Sequence, residues 1–135
     1  MLFMISTQIK VVVRFAETDA MGVVYHANYL PWFEIARTAL IAQIGLPYTQ
    51  LHAQGFNLPV LEANVKYRLP AKYDDELIVT ATIKEMPQLR IYIDYTIHRG
   101  NELLTTGTTT HVFMNNDGHA MRPPEFVLET FKKYF

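Results

Sequence analysis

The sequence predicts an α+β fold in which one curved antiparallel sheet wraps around a central helix. Three observations lead to this prediction. A segment with alternating apolar residues comes first, a helix that is apolar over most of its circumference follows it, and four further alternating segments rich in Ile, Val, Thr and Tyr make up most of the remainder. Such a helix has to be covered on most sides, and a sheet that curves around it does so.

The composition is that of one compact domain, residues 1–135, with no general preference for charged partners. The chain has 12 basic and 13 acidic residues, a formal net charge of −1 and no cysteine. The charge balance provides no long-range attraction to nucleic acids, and the lack of cysteine excludes disulfides and thiolate nucleophiles. The apolar start, 1–6, is too short for a signal peptide or a membrane span, so we expect a cytoplasmic protein.

The first strand and the central helix are predicted from their apolar periods. From Gln8 to Phe15 apolar residues recur at every second position, as in a strand with one buried face. Over Tyr29–Ile44 the apolar residues form one wide stripe, which is typical of a buried helix. Gly45 and Pro47 end this helix, and 48–54 are predicted to form a short helical turn. The stripe consists of Phe33, Ala36, Leu40 and Ile44, widened by Trp32, Ile35 and Ala39.

Four strands and a final helix complete the predicted fold. The strands are Leu58–Tyr67, Leu77–Lys84, Arg90–Arg99 and Leu103–Met114, separated by turn residues. We expect them to form a meander, in which each strand pairs with the next. Pro123 and Pro124 open the segment 125–135, which is predicted to be a short docked helix. Exposed edge strands of this sheet favour pairing between subunits, because an unpaired edge is a liability.

The loop between the first strand and the central helix carries the candidate chemistry. Gly22 permits a backbone conformation that other residues resist, and Asn28 is a candidate cap for the helix. The first N–H groups of a helix have no partners inside it, so they are able to polarise a carbonyl oxygen. Asp19, a few residues upstream, is placed to attack that carbonyl or to activate a water, while Tyr25 and His26 are candidates to orient the reactants.

Each of these residues also has a purely structural interpretation. A loop aspartate such as Asp19 often forms an Asx-turn or caps a helix. A histidine near a helix start, such as His26, is often a structural hydrogen-bonding residue. Aromatic residues at helical spacing, here Tyr25, Tyr29 and Trp32, more often belong to a core than to a ligand site. Taken one by one, the residues leave both interpretations open.

The loop motif is long enough to be compared with known families. It reads Thr18-Asp19-Ala20-Met21-Gly22-Val23-Val24-Tyr25-His26-Ala27-Asn28-Tyr29. Almost position by position, it resembles the signature of the 4-hydroxybenzoyl-CoA thioesterase and YbgC-like branch of the hot-dog superfamily. The segment Glu34-Ile35-Ala36-Arg37-Thr38 resembles the central-helix pattern of that branch, and 67–77 resembles its turn between strands. The resemblance spans nearly the whole chain and implies the hot-dog fold.

The activity that this resemblance implies is that of an acyl-CoA thioesterase, which hydrolyses a thioester to a free acid and CoA. In such enzymes the aspartate matching Asp19 is the catalytic carboxylate, acting as nucleophile or as general base. The thioester carbonyl meets backbone N–H groups that would lie at 26–29 here. The residues implied in catalysis are Asp19 and His26. The residues implied in positioning the substrate are Gly22, Val24, Tyr25, Ala27, Asn28 and Tyr29.

The resemblance also implies partners. Basic side chains at a subunit boundary meet the CoA phosphates in related proteins, so Arg68 and Lys72 are the candidates here, with Arg122 and Arg90 as weaker ones. The expected substrate is an acyl-CoA or an acyl group on a carrier protein, bound at the subunit boundary of a homodimer or homotetramer. No cofactor is expected, and no metal either, because the five histidines are scattered and show no short pairing with carboxylates. The absence of a serine elbow, a phosphate-binding glycine loop and a dinucleotide fingerprint argues against a serine hydrolase, a nucleotide hydrolase and a dehydrogenase.

Two alternative functions stay open on the sequence alone. Other branches of the hot-dog fold hydrate or dehydrate an acyl thioester, using a histidine paired with an acidic residue in a different local motif. A non-catalytic acyl-CoA binding module would be stabilised by its ligand without turning it over. Release of a free thiol from a saturated acyl-CoA separates the thioesterase from both alternatives.

Overall fold

The computed structural model describes residues 4–135, which form an antiparallel sheet and three helices. The strands are β1 (Ile5–Val12), β2 (Val60–Tyr67), β3 (Glu76–Ile83), β4 (Arg90–Arg99), β5 (Glu102–Met114) and β6 (Ala120–Met121), and the helices are α1 (Tyr29–Gln43), α2 (Tyr48–Ala53) and α3 (Glu125–Lys132). The first half of the apolar start, 1–3, lies outside the described residues. Within 4–135, none of the helices combines the length and the apolar character needed to cross a membrane.

The strands lie in the order β1-β3-β4-β5-β2, and the short β6 pairs with the end of β5. β3, β4 and β5 form a meander as predicted. The prediction that β2 precedes β3 in that meander was wrong, because β2 pairs with β5 and β1 takes the place beside β3. The connection through α1 and α2 carries the chain from one edge of the sheet to the other, so β2 begins at the far edge.

Helix α1 packs on the sheet through its predicted apolar stripe. Phe33, Ala36 and Leu40 are fully buried, and the Phe33 ring stacks on the ring of Tyr95 in β4 with a centroid distance of 4.3 Å. Ile35 was wrongly predicted to widen the buried stripe, since it is 51% exposed. It lies on the opposite side of the helix from Phe33, where the sheet of the same chain does not reach it.

The close approach of α1 to the sheet requires Gly107 in the middle of β5. Gly107 lies opposite Tyr95 in the strand register. A Cβ atom on Gly107 would overlap the Phe33 ring and lie 2.9 Å from the carbonyl oxygen of Asn64. Because interiors are close-packed, any side chain at this position would displace the ring at the centre of the core.

Strand β1 keeps the predicted alternation but ends earlier than the pattern indicated. Ile5 and Val13 are both buried, and they lie an even number of residues apart, as residues on one face of a strand do. The strand stops at Val12 because the backbone of Val13 pairs with the turn that precedes β3, accepting from the Asp74 amide at 2.9 Å. Phe15, predicted to continue the buried face, instead opens a short 3-10 turn and is 74% exposed.

A chain of buried polar side chains crosses the core behind α1. His111 Nε2 lies 2.8 Å from Thr109 Oγ1, which in turn lies 2.7 Å from the Tyr95 hydroxyl. His111 is 1% exposed. Its burial, together with the positive charge of Arg37, lowers the pKa of His111 to about 4. The imidazole is therefore neutral at neutral pH and is held by uncharged hydrogen bonds.

Candidate active site

The loop that precedes α1 is fixed by backbone hydrogen bonds. The Asp19 amide donates to the Val23 carbonyl at 2.8 Å, and the Gly22 amide donates to the Asp19 carbonyl at 3.0 Å. Gly22 makes this turn with φ +81°, a conformation that suits glycine. Val23 forms a bridge to Lys72 in the turn before β3. The segment around Asp19 is thereby attached to the sheet.

The carboxylate of Asp19 lies in a surface cleft of about 280 Å³. Its Oδ1 accepts the Met21 amide at 2.9 Å and the Val23 amide at 3.4 Å. These bonds form the Asx-turn of the structural interpretation. Oδ2 accepts no hydrogen bond from any residue in 4–135. One oxygen of the carboxylate therefore sets its orientation, and the other is left for a ligand.

The cleft lies at the beginning of α1, and two tyrosines form part of its wall. Tyr29 and Tyr67 both line the cleft, with their rings edge to face at a centroid distance of 5.3 Å. The Tyr67 hydroxyl donates to the His26 carbonyl at 2.8 Å. Burial raises the pKa of both Tyr29 and Tyr67, so both hydroxyls stay protonated at neutral pH.

Two backbone amides at the beginning of the helix have no acceptor among residues 4–135. A 3-10 turn, His26–Asn28, leads directly into α1. The amides of Val24, Tyr25 and Asn28 donate to backbone carbonyls. The amides of His26 and Ala27 donate to no group among residues 4–135. Of the segment 26–29 implied by the family resemblance, these two are thus the available donors for a carbonyl oxygen.

The prediction that Asn28 caps α1 through its side chain was wrong. Asn28 occupies the N-cap position, but its side chain makes no capping hydrogen bond. Its Nδ2 instead donates to the Glu17 carbonyl at 2.8 Å. The side chain therefore ties the helix start to the incoming loop, while the free helix amides lie one and two residues earlier.

Glu17 organises the site, although none of the sequence motifs above marks it. It is 9% exposed, and its carboxylate accepts the Trp32 Nε1–H at 3.1 Å and the Arg14 amide at 2.8 Å. It thereby joins the end of the first strand region to the first turn of α1. The one local signal is the spacing from Arg14 to Glu17, since a glutamate three residues after a turn start often reaches back to the backbone.

The structure places His26 in the cleft but not against Asp19. The His26 ring packs on Tyr25 with a centroid distance of 4.4 Å and meets the edge of Tyr67 at 6.5 Å. The imidazole makes no hydrogen bond to any other part of the chain between residues 4 and 135. Tyr25 is 47% exposed beside His26 but does not itself line the cleft. Neither ring bonds to the Asp19 carboxylate, and of the two only His26 lines the cleft, where it is accessible to a ligand.

The candidate CoA-binding cations are close to the cleft. Arg68 lines it, and Lys72 pairs through its backbone with Val23 in the cleft wall. Neither side chain forms an ion pair within the described part of the chain. The turn that carries Lys72 is held by Asp75, whose Oδ2 accepts the Lys72 amide and an Arg99 N–H, both at 2.8 Å. Partial burial alone would raise the pKa of Asp75, but these two bonds bring it below its usual value.

The two weaker cation candidates lie elsewhere. Arg90 lines a separate depression formed by 85–90 and Tyr92. Arg122 follows β6 and is exposed. Neither residue lines the Asp19 cleft.

Comparison with known proteins identifies the family. Residues 13–131 match the thioesterase-like superfamily. The chain belongs to this superfamily. Its relatives in the thioesterase-like superfamily include a candidate acyl-CoA thioesterase of Bacillus subtilis, YneP, which is 36% identical over 118 residues, 87% of this chain and 84% of that protein. The acyl-CoA thioesterase YbgC of Haemophilus influenzae is 34% identical over 97 residues, 71% of each chain.

A solved structure supports the same assignment. The DHNA-CoA thioesterase from Staphylococcus aureus superposes with a TM-score of 0.89 and 32% sequence identity, covering 95% of this chain and 89% of that one. The thioesterase family and the hot-dog fold predicted from the loop motif are confirmed. The chain is a hydrolase of the thioesterase class, as that motif also predicted.

Proposed function

We propose that this thioesterase hydrolyses an acyl-CoA to a free carboxylic acid and CoA, with Asp19 as the catalytic carboxylate. The observation that carries the proposal is the arrangement at the start of α1. Asp19, whose carboxylate has one oxygen without a hydrogen bond from residues 4–135, lines a cleft together with His26 and Tyr29 at the helix start, and the amides of His26 and the adjacent Ala27 have no acceptor among the same residues. An anion and unpaired donors at one cleft are suited to a polarised carbonyl.

The reaction uses these groups in sequence. The thioester carbonyl oxygen accepts hydrogen bonds from the His26 and Ala27 amides, which stabilise the negative charge that develops on it. Asp19 then either attacks the carbonyl carbon, giving an anhydride that water hydrolyses, or removes a proton from an attacking water. In both routes the C–S bond breaks and CoA leaves as the thiol after protonation. His26, with the Tyr25 ring packed against it, positions the acyl group, and Arg68 and Lys72 bind CoA phosphates.

The proposed assembly is a homo-oligomer built on the open edge of β2. β2 is the outermost strand beside β5, and its Val60, Leu61 and Tyr67 are each about half exposed. If two copies pair antiparallel through β2 across a two-fold axis, the Val60 end of one lies beside the Tyr67 end of the other. The cleft of each subunit, which Tyr67 lines, would then be completed by its partner.

The molar mass in solution tests this assembly. Light scattering coupled to gel filtration is expected to give twice or four times the mass of one chain. Replacing Leu61 with Lys places a charge on the pairing edge and is expected to shift the mass toward the single chain. A single-chain mass for the parent protein at micromolar concentration would contradict the proposed assembly.

Release of free CoA tests the proposed activity. A panel of acyl-CoAs with aromatic, saturated short-chain and saturated long-chain acyl groups, incubated with the protein and a thiol reagent, is expected to yield thiol and free acid in equal amounts. A dehydratase or a binding module releases no thiol from these compounds. Absence of thiol across the panel, with a correctly folded protein, would refute the proposed reaction.

A cytoplasmic location and a carrier-protein thioester as alternative substrate stay predictions.

A further inference from the structure

An exposed pair of aromatic rings beside the cleft has no part in the mechanism above. Phe15 is 74% exposed and Tyr73 is 58% exposed. Their ring centroids lie 5.7 Å apart with the ring planes at 87°. The two rings form a corner, in which a flat face and an edge meet at a right angle. Large apolar side chains that are exposed together in this way mark a contact surface more often than isolated ones.

The corner is built on paired backbone and not on a loose loop. The amide of Val13 donates to the Asp75 carbonyl at 3.0 Å, and the Asp74 amide donates back to the Val13 carbonyl at 2.9 Å. These bonds hold the segment that carries Phe15 against the turn that carries Tyr73. The rings are therefore held near one another before any ligand binds, which reduces the entropy cost of binding.

The corner is adjacent to the cleft wall and to the cationic side chain of Lys72. Tyr73 directly follows Lys72, whose backbone pairs with Val23 in that wall. The Lys72 ammonium is exposed and forms no ion pair with any residue of 4–135. Of the acidic groups nearby, Glu17 and Asp75 are already in ion pairs. A ligand at the corner thus meets two aromatic rings and an available positive charge, with the exposed Asp74 as the remaining carboxylate.

We propose that the corner of Phe15 and Tyr73 binds the adenine base of the CoA nucleotide, with Lys72 contacting a phosphate of the same nucleotide. This inference rests on the proposed function, because it assumes that the thioester of an acyl-CoA lies in the Asp19 cleft. A purine is flat and stacks on aromatic rings at about 1–3 kcal/mol per base. The adenine and the phosphates lie at the same end of CoA, as the rings and the ammonium do here. If the corner were instead a contact with a second copy of the chain, that contact would not require the Lys72 cation beside the two rings.

The test compares two thioesters of one acyl group, joined either to CoA or to N-acetylcysteamine, which has no nucleotide. In the double variant Phe15→Ser with Tyr73→Ser, KM for the acyl-CoA is expected to rise about tenfold or more, from the loss of stacking. Hydrolysis of the N-acetylcysteamine ester should stay within about twofold, since the acyl site is untouched. Adenosine 3′,5′-bisphosphate should inhibit the parent competitively and the variant at least about tenfold more weakly.

Matched variants make the result specific to these rings. Tyr92→Ser removes a tyrosine of similar exposure, 56%, from β4 and is expected to leave every constant unchanged. Phe15→Tyr keeps a ring at the corner and should keep KM. An unchanged KM for acyl-CoA, or equal losses on both esters, would overturn the inference while leaving the thioesterase intact. An altered molar mass with unchanged inhibition would mean that the corner is a subunit contact, which also overturns it. If the parent hydrolyses neither ester, the proposed function itself fails.

Discussion

Asp19→Asn is expected to lower kcat for an acyl-CoA substrate by about 10²–10⁴-fold, the usual range for losing a general base or nucleophile of this kind. The substitution keeps the size of the side chain. Its amide oxygen is still able to accept the Met21 amide that Oδ1 accepts at 2.9 Å, so the Asx-turn and the loop persist. What is lost is the negative charge and the basic oxygen next to the thioester.

The measurement is thiol release at saturating substrate, with thermal unfolding as a check on the fold. Asp74→Asn is the matched control, because Asp74 is an exposed carboxylate that does not line the cleft. Asparagine also tolerates the positive φ of this position, +69°. The control is expected to keep kcat within about twofold of the parent. A kcat for Asp19→Asn within a few-fold of the parent would show that another group performs the hydrolysis.

The parts of the fold that could be predicted from the sequence are those in which apolar residues recur with the period of a helix or a strand. Helix α1 begins at Tyr29 as its apolar stripe indicated, and β4 has the predicted limits, Arg90–Arg99. The position of β2 could not be predicted, because the route of a connection across a sheet leaves no periodic signal in the strands it joins. The predicted first strand also extended three residues too far, to Phe15 instead of Val12, because the pairing of Val13 with the turn before β3 is a tertiary effect.

In the candidate site, too, residues of a contiguous motif could be predicted, whereas residues with distant partners could not. The motif from Thr18 to Tyr29 is contiguous in the sequence, so it predicted Asp19 and His26 as site residues. Both line one cleft in the structure. The residues that support the site find their partners far away in sequence. Glu17 bonds to Trp32 fifteen positions later, and the Asp75 carboxylate is held from twenty-four positions away. Pairs of this kind are set by the packing of separate elements, which one sequence does not reveal.

Acidification from pH 7 to pH 4 is expected to remove about 3 kcal/mol of folding stability through His111 alone, at about 1.4 kcal/mol per pKa unit. The pKa of His111 is lowered from the ordinary 6.5 to about 4 in the folded protein, first by burial and then by the charge of Arg37. Between these two values the unfolded chain binds a proton that the folded chain does not. Stability therefore falls as the pH falls from 6.5 to 4, and below 4 this contribution is constant.

Urea unfolding at pH 7, 6, 5 and 4 measures this contribution by difference. His111→Gln has no imidazole at this position, so its free energy of unfolding should fall less steeply over the same interval, by about 3 kcal/mol in total. The lower overall stability of this variant does not affect the comparison, because slopes are compared and not levels. His119→Gln, at an exposed position, should keep the slope of the parent. Parallel curves for the parent and His111→Gln would mean that His111 binds a proton as readily in the folded protein as in the unfolded chain. That result would conflict with the burial of His111 beside Arg37.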